Sequence, residues 1–118
     1  MKHQTESLIQ QAFIKWCLIN ERKYPELKLG FAVPNQGLRD ARNARRMKAE
    51  GMRAGVPDWM LPVMAWDKAG LAIEFKSPGG KLTVLQTAYH QLLKNHDWRV
   101  EVCHDWQTAV AIVAEYLS

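Results

Sequence analysis

Residues 71–76, Leu-Ala-Ile-Glu-Phe-Lys, run straight into Ser77-Pro78-Gly79-Gly80, and this stretch constrains the chain more than any other. Side chains alternate across a strand with period two. Leu71, Ile73 and Phe75 therefore share one face, and Ala72, Glu74 and Lys76 share the other. A carboxylate and an ammonium are expensive to bury unless they are paired or bound to a metal ion. A fold built around this strand has to bring compensating groups to its charged face, or leave that face in water.

The preceding stretch offers such a group. Val56-Pro57-Asp58 opens a second strand expected over residues 59–64. Pro57 favours an extended approach, and Pro62 suggests an edge position or a bulge. Residues 66–70, Trp-Asp-Lys-Ala-Gly, have hairpin-turn chemistry, with Gly70 the expected residue at positive φ. If the two strands pair as a hairpin, Asp58 lies at the end far from the turn, and so do Glu74 and Lys76. The two acids then meet at one end of a sheet. Taken singly, Asp58 reads equally well as a turn residue, and Glu74 with Lys76 as an exposed strand pair.

The other segments supply a mixed architecture. Thr5 is a candidate cap for a helix over residues 6–20, with Leu8, Ile9, Ala12, Phe13, Trp16 and Ile19 as its apolar stripe. Glu6 falls at the edge of that stripe, where a first-turn acid is also favoured by the helix dipole. After a polar connector, residues 29–33 read as a short strand stopped by Pro34-Asn35-Gln36-Gly37. Thr83-Val84-Leu85-Gln86 fits a capping box opening a helix to about Asn95, expected to bury Leu85, Tyr89, Leu92 and Leu93. Gln86 and His90 lie together on an adjacent stripe. Residues 98–103 alternate as a strand. Asp105 caps a last helix with Ala109, Ile112, Val113 and Tyr116 inward. The order is helix, strand, basic region, strand, strand, helix, strand, helix.

The chain has 118 residues, which suits one domain spanning 1–118. Its net charge of +4 favours a polyanionic partner without requiring one. That charge is concentrated between Arg39 and Arg53, where Arg39, Arg42, Arg45, Arg46, Lys48 and Arg53 outnumber Asp40 and Glu50. A helix would show Arg39, Arg42, Arg46 and Arg53 on one side, as a phosphate-contacting surface or simply a solvated face. Gly51 and Gly55 suggest that such a helix ends in a loop. Trp59 and Trp66 read as core or dimer-contact residues. Cys17 and Cys103 lack metal-ligand spacing and sit in apolar segments, so two buried free thiols are expected. No apolar run approaches the roughly 18 residues of a membrane span. The first residues lack the apolar core of a signal peptide, so a cytoplasmic protein is expected.

Asp58 followed by Glu74-Phe75-Lys76 gives P-D…E-x-K with fifteen residues between the two acids. A hard cation such as Mg²⁺ accepts oxygen ligands from one or two carboxylates and keeps several waters. Such an ion acidifies a coordinated water and neutralises charge on a phosphoryl oxygen. Lys76, on the face of Glu74, could orient or help deprotonate an attacking water, or neutralise the transition state.

At these residues the sequence resembles a known family. Gly55-Val56-Pro57-Asp58, the run from Ile73 to Gly80, and Leu82-Thr83-Val84-Leu85-Gln86 are similar to the VRR-NUC nucleases, a branch of the PD-(D/E)xK superfamily. The resemblance implies an α/β (α+β), restriction-endonuclease-like fold, with a mixed central sheet flanked by helices. It also implies metal ligands at Asp58, Glu74 and the backbone carbonyl of Phe75, for Mg²⁺ or Mn²⁺. Lys76 takes the role of catalytic lysine, with Glu6 and Gln86 in support. Family members often carry valine where this chain has Phe75, a change that leaves a backbone carbonyl in place. The basic stretch, with Lys81, becomes the candidate DNA contact. The expected activity is a metal-dependent DNA endonuclease, a homodimer acting on branched DNA such as four-way (Holliday) junctions in DNA repair. A flap- or duplex-cleaving nuclease and a non-catalytic nucleic-acid-binding domain are the competing expectations.

Overall fold

The computed structural model describes residues 4–34 and 41–118. Among them are four helices: α1 (Gln4–Ile19), α2 (Ala41–Ala49), α3 (Val84–Asn95) and α4 (Trp106–Tyr116). Four strands, β1 (Phe31–Ala32), β2 (Trp59–Leu61), β3 (Gly70–Phe75) and β4 (Trp98–Cys103), form one sheet in that order. β1 and β2 pair antiparallel, β2 and β3 antiparallel, and β3 and β4 parallel. The parallel pair requires a crossover, and α3 is that crossover.

β3 is the centre of the molecule, and all six of its residues are buried. Its two faces meet different partners. Leu71, Ile73 and Phe75 belong to the core cluster with Phe13 and Cys17 of α1 and Ala109, Val113 and Tyr116 of α4. Trp59 and Leu61 extend that layer from β2. The Phe13 ring stands edge-on to Trp59, centroids 4.9 Å apart, and tilted against Phe75 at 5.4 Å. The opposite face carries Ala72 and Glu74, and α3 lies over it. β3 thus reads as a strand buried on both sides, which explains its near-continuous apolar composition.

Several sequence expectations change in detail. α1 begins at Gln4, so Thr5 lies inside the helix rather than capping it. Leu8 and Ile19 are exposed, and the buried line of α1 is Phe13 and Cys17. Residues expected at the start of β1 instead form a 3-10 turn, Pro25–Leu29, whose Leu27 enters the core. β2 stops at Leu61, because Pro62 has no N–H to continue a ladder. Gly70 is not the positive-φ residue of the hairpin; Trp66 is, at φ 59°. Gly70 is required for another reason: a Cβ there would lie 2.6 Å from the Trp98 ring. Trp66 is 74% exposed and outside the core, whereas Trp59 is 2% exposed. In α3, Leu85 and Leu92 face solvent and the buried residue is His90. Both cysteines are free and buried, as expected, and burial pushes each thiol up to about 12.

Candidate active site

The β2–β3 register sets the site. Trp59 pairs with Ile73, and the same register extended by one residue puts Asp58 opposite Glu74. The Asp58 carbonyl accepts the Val33 N–H at 2.9 Å, which ties this end of β2 to the chain beyond β1. Its side chain turns the other way. Asp58 Oδ2 accepts the Phe75 N–H at 2.7 Å, where a longer β2 would have offered a ladder partner. The carboxylate thereby lies against the backbone between Glu74 and Phe75.

Glu74 is 3% exposed, Lys76 8% and Asp58 9%. An exposed strand pair is thus ruled out for Glu74 and Lys76. The Glu74 carboxylate is met from above by α3. Gln86 Nε2 donates to Oε2 at 3.4 Å, and His90 Nε2 lies 3.3 Å from Oε1. α3 is held in place by its first turn. Thr83 Oγ1 accepts the Gln86 N–H at 3.2 Å, and Gln86 Oε1 accepts the Thr83 N–H at 2.9 Å. Gln86 therefore caps the helix with its oxygen and reaches Glu74 with its nitrogen. The cap expected from the sequence and the contact with Glu74 coexist in one side chain.

Burial, followed by the charge of Lys94, lowers the His90 pKa; Asp58 opposes this and Lys76 adds to it. A neutral imidazole at this position can hydrogen-bond the carboxylate only in the tautomer that carries its proton on Nε2. His90 is the residue that sequence reading left without a role. Its signal was its position four residues after Gln86, on the same helical stripe.

Glu6 sits at the rim. Its Oε2 accepts the Ser77 N–H at 3.3 Å, one residue beyond Lys76. The Ser77 carbonyl in turn lies 3.1 Å from His104 Nδ1 and accepts the Gly80 N–H at 2.8 Å. The Ser77–Gly80 turn is thus pinned between α1 and the β4–α4 connection, with Gly79 at φ 80°. The loop before Asp58 is pinned as well. Gly55 has φ 88°, and a Cβ on it would lie 2.5 Å from the Leu85 carbonyl oxygen. The Asp58 loop therefore presses directly on the first turn of α3.

Arg42, Arg45, Arg46 and Lys48 lie on α2, exposed, and α2 buries no residue. Arg46 makes an exposed ion pair with Glu50 at 3.7 Å, which contributes little to stability. Arg53 is exposed but follows the end of α2, so it does not share a helix face with Arg42 and Arg46. Lys81 is exposed just before Thr83. Arg39 lies outside the described residues.

Among the described residues, no three or more His, Cys, Asp and Glu side chains are gathered as a metal cluster. The donor set at this point is smaller and of one kind: the Asp58 and Glu74 carboxylates and the Phe75 carbonyl. Oxygen donors of this kind suit a hard divalent cation and no soft one. The fit is good on chemistry. Each carboxylate oxygen engaged by an N–H retains a lone pair for a further partner.

No curated protein matches the chain. A solved structure described as "VRR_NUC domain protein" superposes with a TM-score of 0.79 at 20% identity, covering 99% of this chain and 91% of that one. At that identity the likeness speaks to the fold, an α+β arrangement with a mixed sheet. No helix among the described residues is long and apolar enough to cross a membrane. The family model described as "VRR-NUC domain" matches residues 4–106, and the chain therefore belongs to the VRR-NUC family of nucleases.

Proposed function

We propose that residues 1–118 form one nuclease domain that hydrolyses DNA phosphodiester bonds with a divalent cation, Mg²⁺ or Mn²⁺. It acts as a homodimer on branched DNA such as a four-way junction. The observation carrying this reading is the buried meeting of Asp58, Glu74 and Lys76 at one end of the β2–β3 pair. Nothing in the packing of a strand demands two acids and a lysine there, and their burial is unfavourable without a purpose.

Asp58, Glu74 and the Phe75 carbonyl are the groups that would hold the cation. When bound, the ion supplies a Lewis acid that acidifies a water and offsets charge on the phosphoryl oxygens. Lys76 is the chain's own contribution to the attack. It orients the water on the phosphorus and meets the negative charge that builds as the phosphorus–oxygen bond breaks. The attacking water gives up a proton to solvent, and the departing oxygen leaves with a proton from solvent. Gln86 holds Glu74, and Glu6 holds the turn that follows Lys76. Arg42, Arg45, Arg46, Lys48, Arg53 and Lys81 meet the phosphate backbone, with Arg39 at the start of the same basic stretch.

A four-way junction has two-fold symmetry, and each site cuts one strand. Two sites related by a two-fold axis match it. Trp66 and Met64, 74% and 82% exposed, are apolar surface that a second copy would cover. A cytoplasmic place of action fits a DNA substrate.

The test is cleavage of synthetic four-way, flap and duplex DNA, with and without Mg²⁺, together with the molecular mass in solution. Paired symmetric cuts in the junction by a dimer support the reading. Equal cutting of all three removes the junction preference, and DNA binding without any cutting leaves only a binding domain.

A further inference from the structure

We infer that His90 is a positioning residue that, together with Gln86, clamps the Glu74 carboxylate in the orientation a divalent cation requires. The inference rests on the proposed cation role of Glu74. Glu74 has a flexible side chain, and a ligand that swings between rotamers loses affinity for its ion. α3 removes that freedom. Gln86 and His90 are four residues apart, so they project from one helical stripe. Their donors fall on different oxygens of the same carboxylate: Gln86 Nε2 on Oε2 at 3.4 Å, and His90 Nε2 at 3.3 Å from Oε1.

Three features argue that His90 is there for Glu74 and not merely to fill space. His90 is the residue that α3 buries, while Leu85 and Leu92 of the same helix stay exposed. The side chains of the pair are 4% and 3% exposed, so neither finds water as an alternative partner. Gln86 and His90 also take separate oxygens, which fixes the rotation of the carboxylate as well as its position. An arginine or lysine at position 90 would hold Glu74 as well but repel the ion.

Mn²⁺ binding by calorimetry, without DNA, tests this apart from activity. The variants are Glu74→Gln, His90→Leu and His90→Gln, each checked for folding by urea denaturation. Removal of a residue that supports a metal ligand typically weakens affinity about 10–100-fold. His90→Leu, of similar bulk and without a donor, is expected to lose that much. His90→Gln, whose amide nitrogen reaches about as far as Nε2, is expected to recover most of it. Unchanged Mn²⁺ affinity in His90→Leu, beside a clear loss in Glu74→Gln, overturns the role of His90 alone. Undiminished affinity in Glu74→Gln overturns the cation role of Glu74 and the clamp with it. If His90→Leu fails to fold, the wild-type imidazole ¹⁵N spectrum at neutral pH decides. The Nε2–H tautomer supports the clamp, and the Nδ1–H tautomer refutes it.

Discussion

Gly55→Ala should be far more damaging than its size suggests, and the structure permits the effect to be divided. Gly55 has φ 88°, a region where an L side chain is strained by about 1–2 kcal/mol. Its Cβ would also fall 2.5 Å from the Leu85 carbonyl oxygen, 2.7 Å from the Leu85 carbonyl carbon and 3.1 Å from the Gln86 nitrogen. These are backbone atoms of a capped helix turn, so they cannot rotate aside, and forcing them costs a further ~1–3 kcal/mol. Gly51 is the control. It has φ 100° but nothing within 4 Å of a Cβ, so Gly51→Ala carries the conformational part alone. Urea denaturation should give a loss of about 1–2 kcal/mol for Gly51→Ala and about 2–5 kcal/mol for Gly55→Ala. At roughly 4 °C per kcal/mol for a chain of this length, Gly55→Ala should melt about 8–20 °C lower. The displaced atoms belong to the turn that carries Gln86, so Gly55→Ala should also weaken nuclease activity in the fraction that folds. Equal losses at the two glycines would refute the close approach of the Asp58 loop to α3.

Other perturbations have equally definite outcomes. Thr83→Ala removes the side-chain acceptor of the Gln86 N–H, and denaturation should show a loss of about 1 kcal/mol. Phe13→Ala empties the space between Trp59 and Phe75 and should cost about 3–5 kcal/mol, against less than about 0.5 kcal/mol for a change at exposed Leu18. Removing Arg42, Arg45 and Lys48 together should flatten the salt dependence of duplex binding by about 0.9 per lost contact, measured as log K against log salt. Unfolded thiols ionise near 9.0, whereas burial holds Cys17 and Cys103 at about 12. Their contribution to stability is therefore complete below pH 9 and declines as the pH rises towards 12. Replacing both cysteines with alanine should remove that alkaline slope from a pH series of melting curves.

How much of this was legible in the sequence depends on which forces act on each residue. β3 was legible because both of its faces write into its own composition, and the hairpin geometry alone brought Asp58 towards Glu74. The capping box of Thr83 and the cap at Asp105 are legible because caps are local chemistry: Thr108 N–H meets Asp105 Oδ1 at 2.7 Å, as the spacing requires. α3 buries a different stripe from the one its apolar residues predict. An apolar count turns Leu85 and Leu92 inward, but the sheet face beneath α3 carries Glu74, and a charged face selects a polar stripe. Gln86 and His90 therefore point in, and the leucines point out. That choice belongs to tertiary context and is absent from the helix's own periodicity. The apolar run after Trp59 predicts a strand to Met64, but ladder bonding stops at Leu61, before Pro62. Gly70 reads as a turn residue, but its constraint is the Trp98 ring, a contact from a strand far along the chain. Spacing groups Arg53 with the α2 arginines, and the positive φ of Gly51 breaks that spacing.

If Asp58, Glu74 and Lys76 form one cation-assisted hydrolytic site, single-turnover cleavage of a four-way junction across a Mg²⁺ titration will show it, for wild type, Asp58→Ala and Lys76→Met, with DNA affinity measured in parallel. Cleavage by wild type should rise with Mg²⁺, and both variants should lose at least about a hundredfold with affinity kept within a few fold. Cleavage by Asp58→Ala at the wild-type rate, or wild-type cleavage undiminished in EDTA, would contradict it.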